Sequence, residues 1–236
     1  GHPGHSGRAG RTRHPGPVGR AAAMTRKPLR AVLFDWDGTL VNSADKTYHC
    51  YVHVFGGFGI AFDRERFEQT YSPDWRQTYA AVGLPREQWP LADARWIDCY
   101  ESTASTLITG TREALARIRA RDLRQGIVSS GDGGRVRKEL ETLNVADFFE
   151  AVVCGGDTAR RKPDPEPLVV ALHRLGLDPA EAAYVGDSPE DVQMARSASV
   201  YTVGIPGGFP NRQALAASAP DILAPSLDAA IEELLG

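Results

Sequence analysis

From residue 31 onward the chain alternates short apolar runs with longer stretches whose apolar positions recur at helical spacing. Runs at 31–35, 125–129, 151–154 and 183–186, and a fifth at 200–203, are bounded by turn-forming residues and read as strands. Amphipathic segments usually follow them, as at 135–143, where Val136, Leu140 and Leu143 share one helical face. Strands alternating with helices predict βαβ units and a parallel sheet joined by helical crossovers.

The alternation breaks once. Between the first and second strands, 42–109 holds nearly seventy residues with several helical patterns, far too long for one crossover. This stretch is expected to be an inserted helical module, with Tyr48, Tyr51, Phe55, Phe58, Trp75, Trp89 and Trp96 forming its small core, since aromatics dominate core burial. The predicted organisation is a leader or tag at 1–28, a core from 29–42 and 110–236, and a helical cap at 43–109. The leader is rich in Gly, Pro and Arg and lacks the apolar run of a secretory signal, so it is expected to be mostly disordered.

Composition narrows the class. With 236 residues, 42% hydrophobic and 24% charged, the chain supports one full core and a smaller attached module. It has no apolar stretch of the roughly 18 to 20 residues that a membrane span needs, so no membrane partner is expected. The formal charge of -3 conceals four arginines and no acid in the first 23 residues, which leaves -7 for the rest. A mildly acidic folded part argues against nucleic acid as a partner and is compatible with a small anion held at a local positive site. Cys50, Cys99 and Cys154 have neither paired nor disulfide-framework spacing and are expected to be reduced thiols, which points to the cytoplasm. The sequence carries no signal for an oligomeric state.

In an open parallel sheet, ligands bind beyond the carboxyl ends of the strands. Asp35 ends the first strand and Ser129 the second, Asp187 follows the fourth, and Lys162 lies in the loop after the third. Four polar groups at equivalent strand ends are expected to converge on one crevice.

The segment Asp35-Trp36-Asp37-Gly38-Thr39-Leu40-Val41 resembles the first motif of the haloacid dehalogenase-like hydrolase superfamily. Ser129 resembles the second motif, Lys162 in Lys-Pro-Asp-Pro-Glu-Pro the third, and Gly186-Asp187-Ser188-Pro189-Glu190-Asp191 the fourth. The resemblance runs from about residue 30 to the C-terminus, and the insertion is similar to the helical cap of the branch containing phosphoglycolate phosphatases and β-phosphoglucomutases. It implies an α/β fold, a Rossmann-like parallel sheet flanked by helices with an inserted α-helical cap, and a phosphatase acting on a small phosphorylated metabolite.

The chemistry follows from residue types. A phosphate monoester is slow to hydrolyse, and a carboxylate attacking phosphorus divides one hard displacement into two easier ones. Asp35 is the expected nucleophile, and Asp37 is suited to protonate the leaving alkoxide and then deprotonate the attacking water. The resemblance implies Mg²⁺ held by the Asp35 side chain, the Asp37 backbone carbonyl and Asp187. Lys162 is expected to neutralise the phosphate, Ser129 and the amides near Ser130 to hydrogen-bond it. Asp191 suits either a role behind the metal ligands or a helix start of the Ser-Pro-x-Asp kind. Asn42 and Ser199 depart from the family pattern, standing where Asp and Gly are common. Phosphoglycolate heads the expected substrates. The alternatives are a phosphosugar mutase of the β-phosphoglucomutase type and a pyrophosphatase. A non-enzymatic phospho-acceptor module has no use for a sixty-residue cap, and no GxGxxG follows the first strand to suggest a nucleotide site.

Overall fold

The computed structural model describes residues 27–72 and 75–236. The expected leader lies outside them except for its last two residues, of which Lys27 pairs with Asp178 at 2.6 Å.

Six parallel strands form one sheet, β1 (Ala31–Phe34), β2 (Arg124–Asp132), β3 (Ala151–Gly155), β4 (Ala182–Gly186), β5 (Tyr201–Gly204) and β6 (Ile222–Leu223), in the order β3-β2-β1-β4-β5-β6. The helices are α1 (Ser43–Gly56), α2 (Arg64–Thr70), α3 (Trp75–Ala81), α4 (Trp89–Ser102), α5 (Thr111–Arg119), α6 (Gly133–Thr142), α7 (Glu166–Leu175), α8 (Pro189–Ser197), α9 (Arg212–Ala217) and α10 (Leu227–Leu235). The parallel α/β sheet expected from the apolar runs is present. Two-residue alternation sorts β1 between two cores. Val32 and Phe34 pack with residues of α5, α6 and α10 on one face; Ala31 and Leu33 pack with residues of α7 and α8 on the other.

The structure extends the sequence reading in two places. Strand β2 continues past Ser129 to Asp132, with a register shift against β3 after Val128 that no apolar pattern marks. Strand β6 is a two-residue edge, too short to make an apolar run. Ser199, where glycine is common in the family pattern, adopts a left-handed φ of 60°.

Helices α1 to α4 share an aromatic cluster that includes Tyr51, Phe55, Phe62, Phe67 and Tyr79, with Tyr48, Phe58, Trp89 and Trp96 packed against it. Trp75 departs from expectation. It is 45% exposed and stands outside the cluster, its indole N–H donating to Asp93 at 3.0 Å. Its polar edge is satisfied at the surface, so burial is not required of it. Phe209, from the loop after β5, joins this cluster and ties the insert to the sheet. The chain leaves and re-enters the core side by side, Asn42 N–H donating to Thr106 O at 2.9 Å and Ile108 N–H to Leu40 O at 2.9 Å. Among the described residues, no helix is long and apolar enough to cross a membrane.

Candidate active site

The sheet order reverses direction around β1, and the crevice beyond the carboxyl ends of β1 and β4 is where such a sheet binds ligands. Asp35 is the first residue past β1. Its amide donates to Val185 O at 2.9 Å, which locks the loop against β4 and leaves the side chain aimed outward. Asp187 is the first residue past β4. Gly38 has a φ of 78°, and a Cβ there or at Gly207 would overlap the Asp187 carboxylate, so the chain closes around that group only with glycine.

A cavity of about 420 Å³ opens here. Asp35, Asp37, Ser129, Ser130, Lys162, Asp187 and Asp191 all line it, so the structure gathers every residue singled out from sequence. Lys162 Nζ donates to Asp35 Oδ1 and to Asp191 Oδ1, both at 2.7 Å. Asp191 takes the helix-start position considered for it and reaches Lys162 as well. Its Oδ2 accepts from Ser188 N and Oγ in a capping box at the start of α8, and its Oδ1 accepts from Lys162 and from the Tyr184 hydroxyl. Ser129 Oγ accepts from Gly131 N at 3.0 Å, which turns the β2 loop over the cavity.

Three buried carboxylates meet one ammonium. Burial pushes the Asp35 carboxyl up to about 7 against the pull of Lys162, and Asp191 adds to the rise. Burial also drives Asp187 well above its ordinary range, with Asp35 and Asp191 contributing. Lys162 is pulled down by burial, but Asp191 and Asp35 outweigh that and raise it, so it stays charged. The site is short of positive charge. Carboxylate oxygens of Asp35, Asp187 and Asp191 lie within 4.8 Å of one another, an all-oxygen donor set that fits a hard divalent cation.

Asp37 faces a different neighbourhood. Arg135 on α6 grips both of its oxygens, Nη2 to Oδ2 at 2.5 Å and Nη1 to Oδ1 at 3.1 Å, and the Tyr100 hydroxyl on α4 donates to Oδ1 at 3.3 Å. Burial lowers the Arg135 pKa, and Asp37 and Glu139 raise it to a higher net value. Glu139 balances Arg135 at 2.9 Å and accepts from Trp36 Nε1 at 2.8 Å and Ser105 Oγ at 2.5 Å; Ser105 in turn accepts from Lys46 at 2.9 Å. Lys46, a basic residue of the insert, is therefore tied into this network, although, like His49, His53, Arg64, Arg76 and Arg86, it does not line the 420 Å³ cavity.

Sequence reasoning missed Arg135, Tyr100 and Glu139 around Asp37, and Arg161 and Asn211 on the cavity wall. Arg135 lies 98 residues from Asp37 and reads as an exposed helix position, its one local cue being the acid four residues on at Glu139. Asn211 Nδ2 donates to Asp187 O at 3.0 Å from a loop without apolar pattern.

The parallel sheet and the buried aspartates and lysine gathered at its strand ends are those of a hydrolase. The chain belongs to the haloacid dehalogenase-like hydrolase family, whose model matches residues 32–205. It is 30% identical over 203 residues to the pyrophosphatase PpaX of Bacillus velezensis, covering 85% of this chain and 94% of the relative. It is also 30% identical over 223 residues to the phosphoglycolate phosphatase of Salmonella typhimurium, covering 83% and 88%. A haloacid dehalogenase-like hydrolase from Streptococcus pneumoniae shares the fold with a TM-score of 0.73 at 21% identity, over 88% of this chain and 97% of that one.

Proposed function

We propose that this protein is a Mg²⁺-dependent phosphatase that transfers the phosphoryl group of a small organic monoester to Asp35 and then to water. The observation that carries this is Asp35 held by buried Lys162 at 2.7 Å in the same cavity as Asp187 and Ser129. A carboxylate paired with an ammonium, rather than capped by backbone amides, keeps an oxygen for attack on phosphorus.

In the first step an Asp35 oxygen bonds to phosphorus while the alcohol leaves, taking a proton from the carboxyl of Asp37. In the second, Asp37 takes a proton from water as the water oxygen bonds to phosphorus, and the Asp35 carboxylate departs. Lys162, Ser129 and the amide at Ser130 would hold the phosphate oxygens throughout, with Arg161 at the cavity edge. Mg²⁺ held by Asp35, Asp187 and the Asp37 carbonyl would supply the remaining positive charge that two carboxylates and a phosphate require. Asp191 would act through Lys162, orienting its ammonium.

Helices α1 to α4 would serve as a lid that excludes bulk water. Two relatives at the same identity are named for different substrates, pyrophosphate and phosphoglycolate, so the motif residues serve the phosphoryl group and the insert selects the leaving group. The test is release of phosphate from p-nitrophenyl phosphate with Mg²⁺ by wild type and its Asp35→Asn variant. Release by wild type and none by the variant supports the reading, and equal release by both defeats it.

A further inference from the structure

A second cavity of about 380 Å³ lies against the first. Its wall is aromatic, built from Tyr51, Tyr71, Trp75, Tyr79, Trp96 and Phe209. Tyr71 and Phe209 line both cavities and stack on each other, ring centroids 5.0 Å apart and planes 23° from parallel, so the two spaces meet at this pair. Phosphate seated beside Asp35 would therefore project its ester group past Tyr71 into an aromatic chamber.

The chemistry of that chamber is selective. Among the described residues no Lys, Arg or His lines it, the guanidinium of Arg76 lying over the Trp75 ring 5.3 Å from its centroid but outside the lining, and the lining carboxylate of Asp93 already accepts from Trp75. A carboxylate or a second phosphate on the leaving group would meet no cation on the described lining and would face Asp93. Flat ring faces, by contrast, recover apolar area and ring-edge contacts from an aromatic guest. A cavity of this size is far larger than glycolate and suits a ring-bearing group.

We propose that this chamber receives the alcohol side of the substrate, and that the preferred substrate is the phosphate monoester of an arylalkyl alcohol rather than an ester with an anionic leaving group. The proposal rests on the phosphatase reading above and specifies its substrate class. Tyr71 and Phe209 act as the threshold, and Trp75, Tyr79 and Trp96 as the ring-binding wall.

2-Phenylethyl phosphate and ethyl phosphate share a primary alkoxide leaving group and differ only in the ring, so the chemistry at phosphorus is matched. With the full chain and Mg²⁺, kcat/KM for the phenylethyl ester should exceed that for the ethyl ester by about 10- to 100-fold, the worth of burying one phenyl group. It should also exceed that for phosphoglycolate and for a hexose 6-phosphate. Ile97 lines the chamber at 50% exposure, so Ile97→Asp spares the fold and places a charge at the rim; it should cut the phenylethyl-to-ethyl ratio several-fold. Without Mg²⁺, 2-phenylethanol should perturb tryptophan emission saturably while ethanol does not, because Trp75 and Trp96 line the chamber. A ratio near one, a ratio unmoved by Ile97→Asp, or preference for phosphoglycolate or the hexose ester overturns the substrate assignment and leaves the phosphatase standing. Failure of both esters and of p-nitrophenyl phosphate to release phosphate overturns both readings together.

Discussion

Asp35 and Asp37 flank one tryptophan on a single loop, yet their surroundings are opposites. Asp35 is buried among Asp187 and Asp191 with Lys162 as its cation, and its carboxyl rises to about 7. Asp37 is clamped by Arg135 and Tyr100, with Glu139 and Lys46 continuing the network into the insert. The Asp35 side sets three buried carboxylates against the single ammonium of Lys162 and is short of positive charge, which suits the proposed cation and phosphorus. The Asp37 side draws groups from α1, α4 and α6, so the position of the proposed acid and base depends on where the insert sits. One carboxylate is fixed to the sheet, and the other is tied to the inserted helices.

The largest effect should come from separating the two roles. Asp35→Asn should lower phosphate release at least 1000-fold on the order expected when a nucleophile is lost, with no phosphorylated protein detected by intact mass measurement. Asp37→Asn should cost about 100- to 10,000-fold with an alkyl phosphate and clearly less in the first step with p-nitrophenyl phosphate, whose phenolate leaves without a proton. Equal losses with both esters would break the distinction between nucleophile and acid.

Lys162→Met removes the ammonium from a site that keeps its buried acids, and should destabilise the metal-free protein by about 3 to 5 kcal/mol in urea unfolding. Recovery of part of that loss on adding Mg²⁺ would show the cation and Lys162 answering the same charge deficit.

The pH dependence has a definite sign. Asp35 and Asp187 are raised in the folded state, so between the ordinary carboxyl range near about 4 and about 7 the native protein binds more protons than the unfolded chain. Their contribution is fully present below the lower limit and is lost as pH rises through the window. The Tm of the metal-free protein should therefore fall across it, and Mg²⁺ should flatten the fall by favouring the ionised form. A Tm that rises with pH in Asp35→Asn but falls in wild type would assign the effect to Asp35.

The smallest effect lies on the Asp37 side. Trp36→Phe deletes the donor to Glu139 while Arg135 and Ser105 remain, and should cost about 1 to 2 kcal/mol by thermal or urea unfolding.

Much of this was legible in the chain alone because it is encoded locally. Apolar runs of four or five residues mark β1 to β5; Asp35 and Asp187 stand just beyond strand ends, Ser129 lies in the last part of β2 and Lys162 in the loop that follows β3, all on the side where a parallel sheet gathers them. The capping pattern at 188–191 was equally plain, whereas the second contact of Asp191, to Lys162, was not. Arg135 was illegible for a physical reason: its partner is 98 residues away, and an arginine on a helix surface looks the same in sequence whether it meets water or a carboxylate. Trp75 misled in the opposite sense, since a large aromatic suggests a core and only the fold puts it beside Asp93 at the mouth of a chamber.

The sequence by itself determined the strand and helix order, the convergence of the acidic and basic groups, and the interruption that became the insert, because each depends on periodicity or on position along a strand. Tertiary structure alone decided that Asp35 meets Lys162 while Asp37 is clamped by Arg135 and Tyr100, and what lines the second cavity. Those outcomes depend on contacts between segments whose relative placement no local pattern carries.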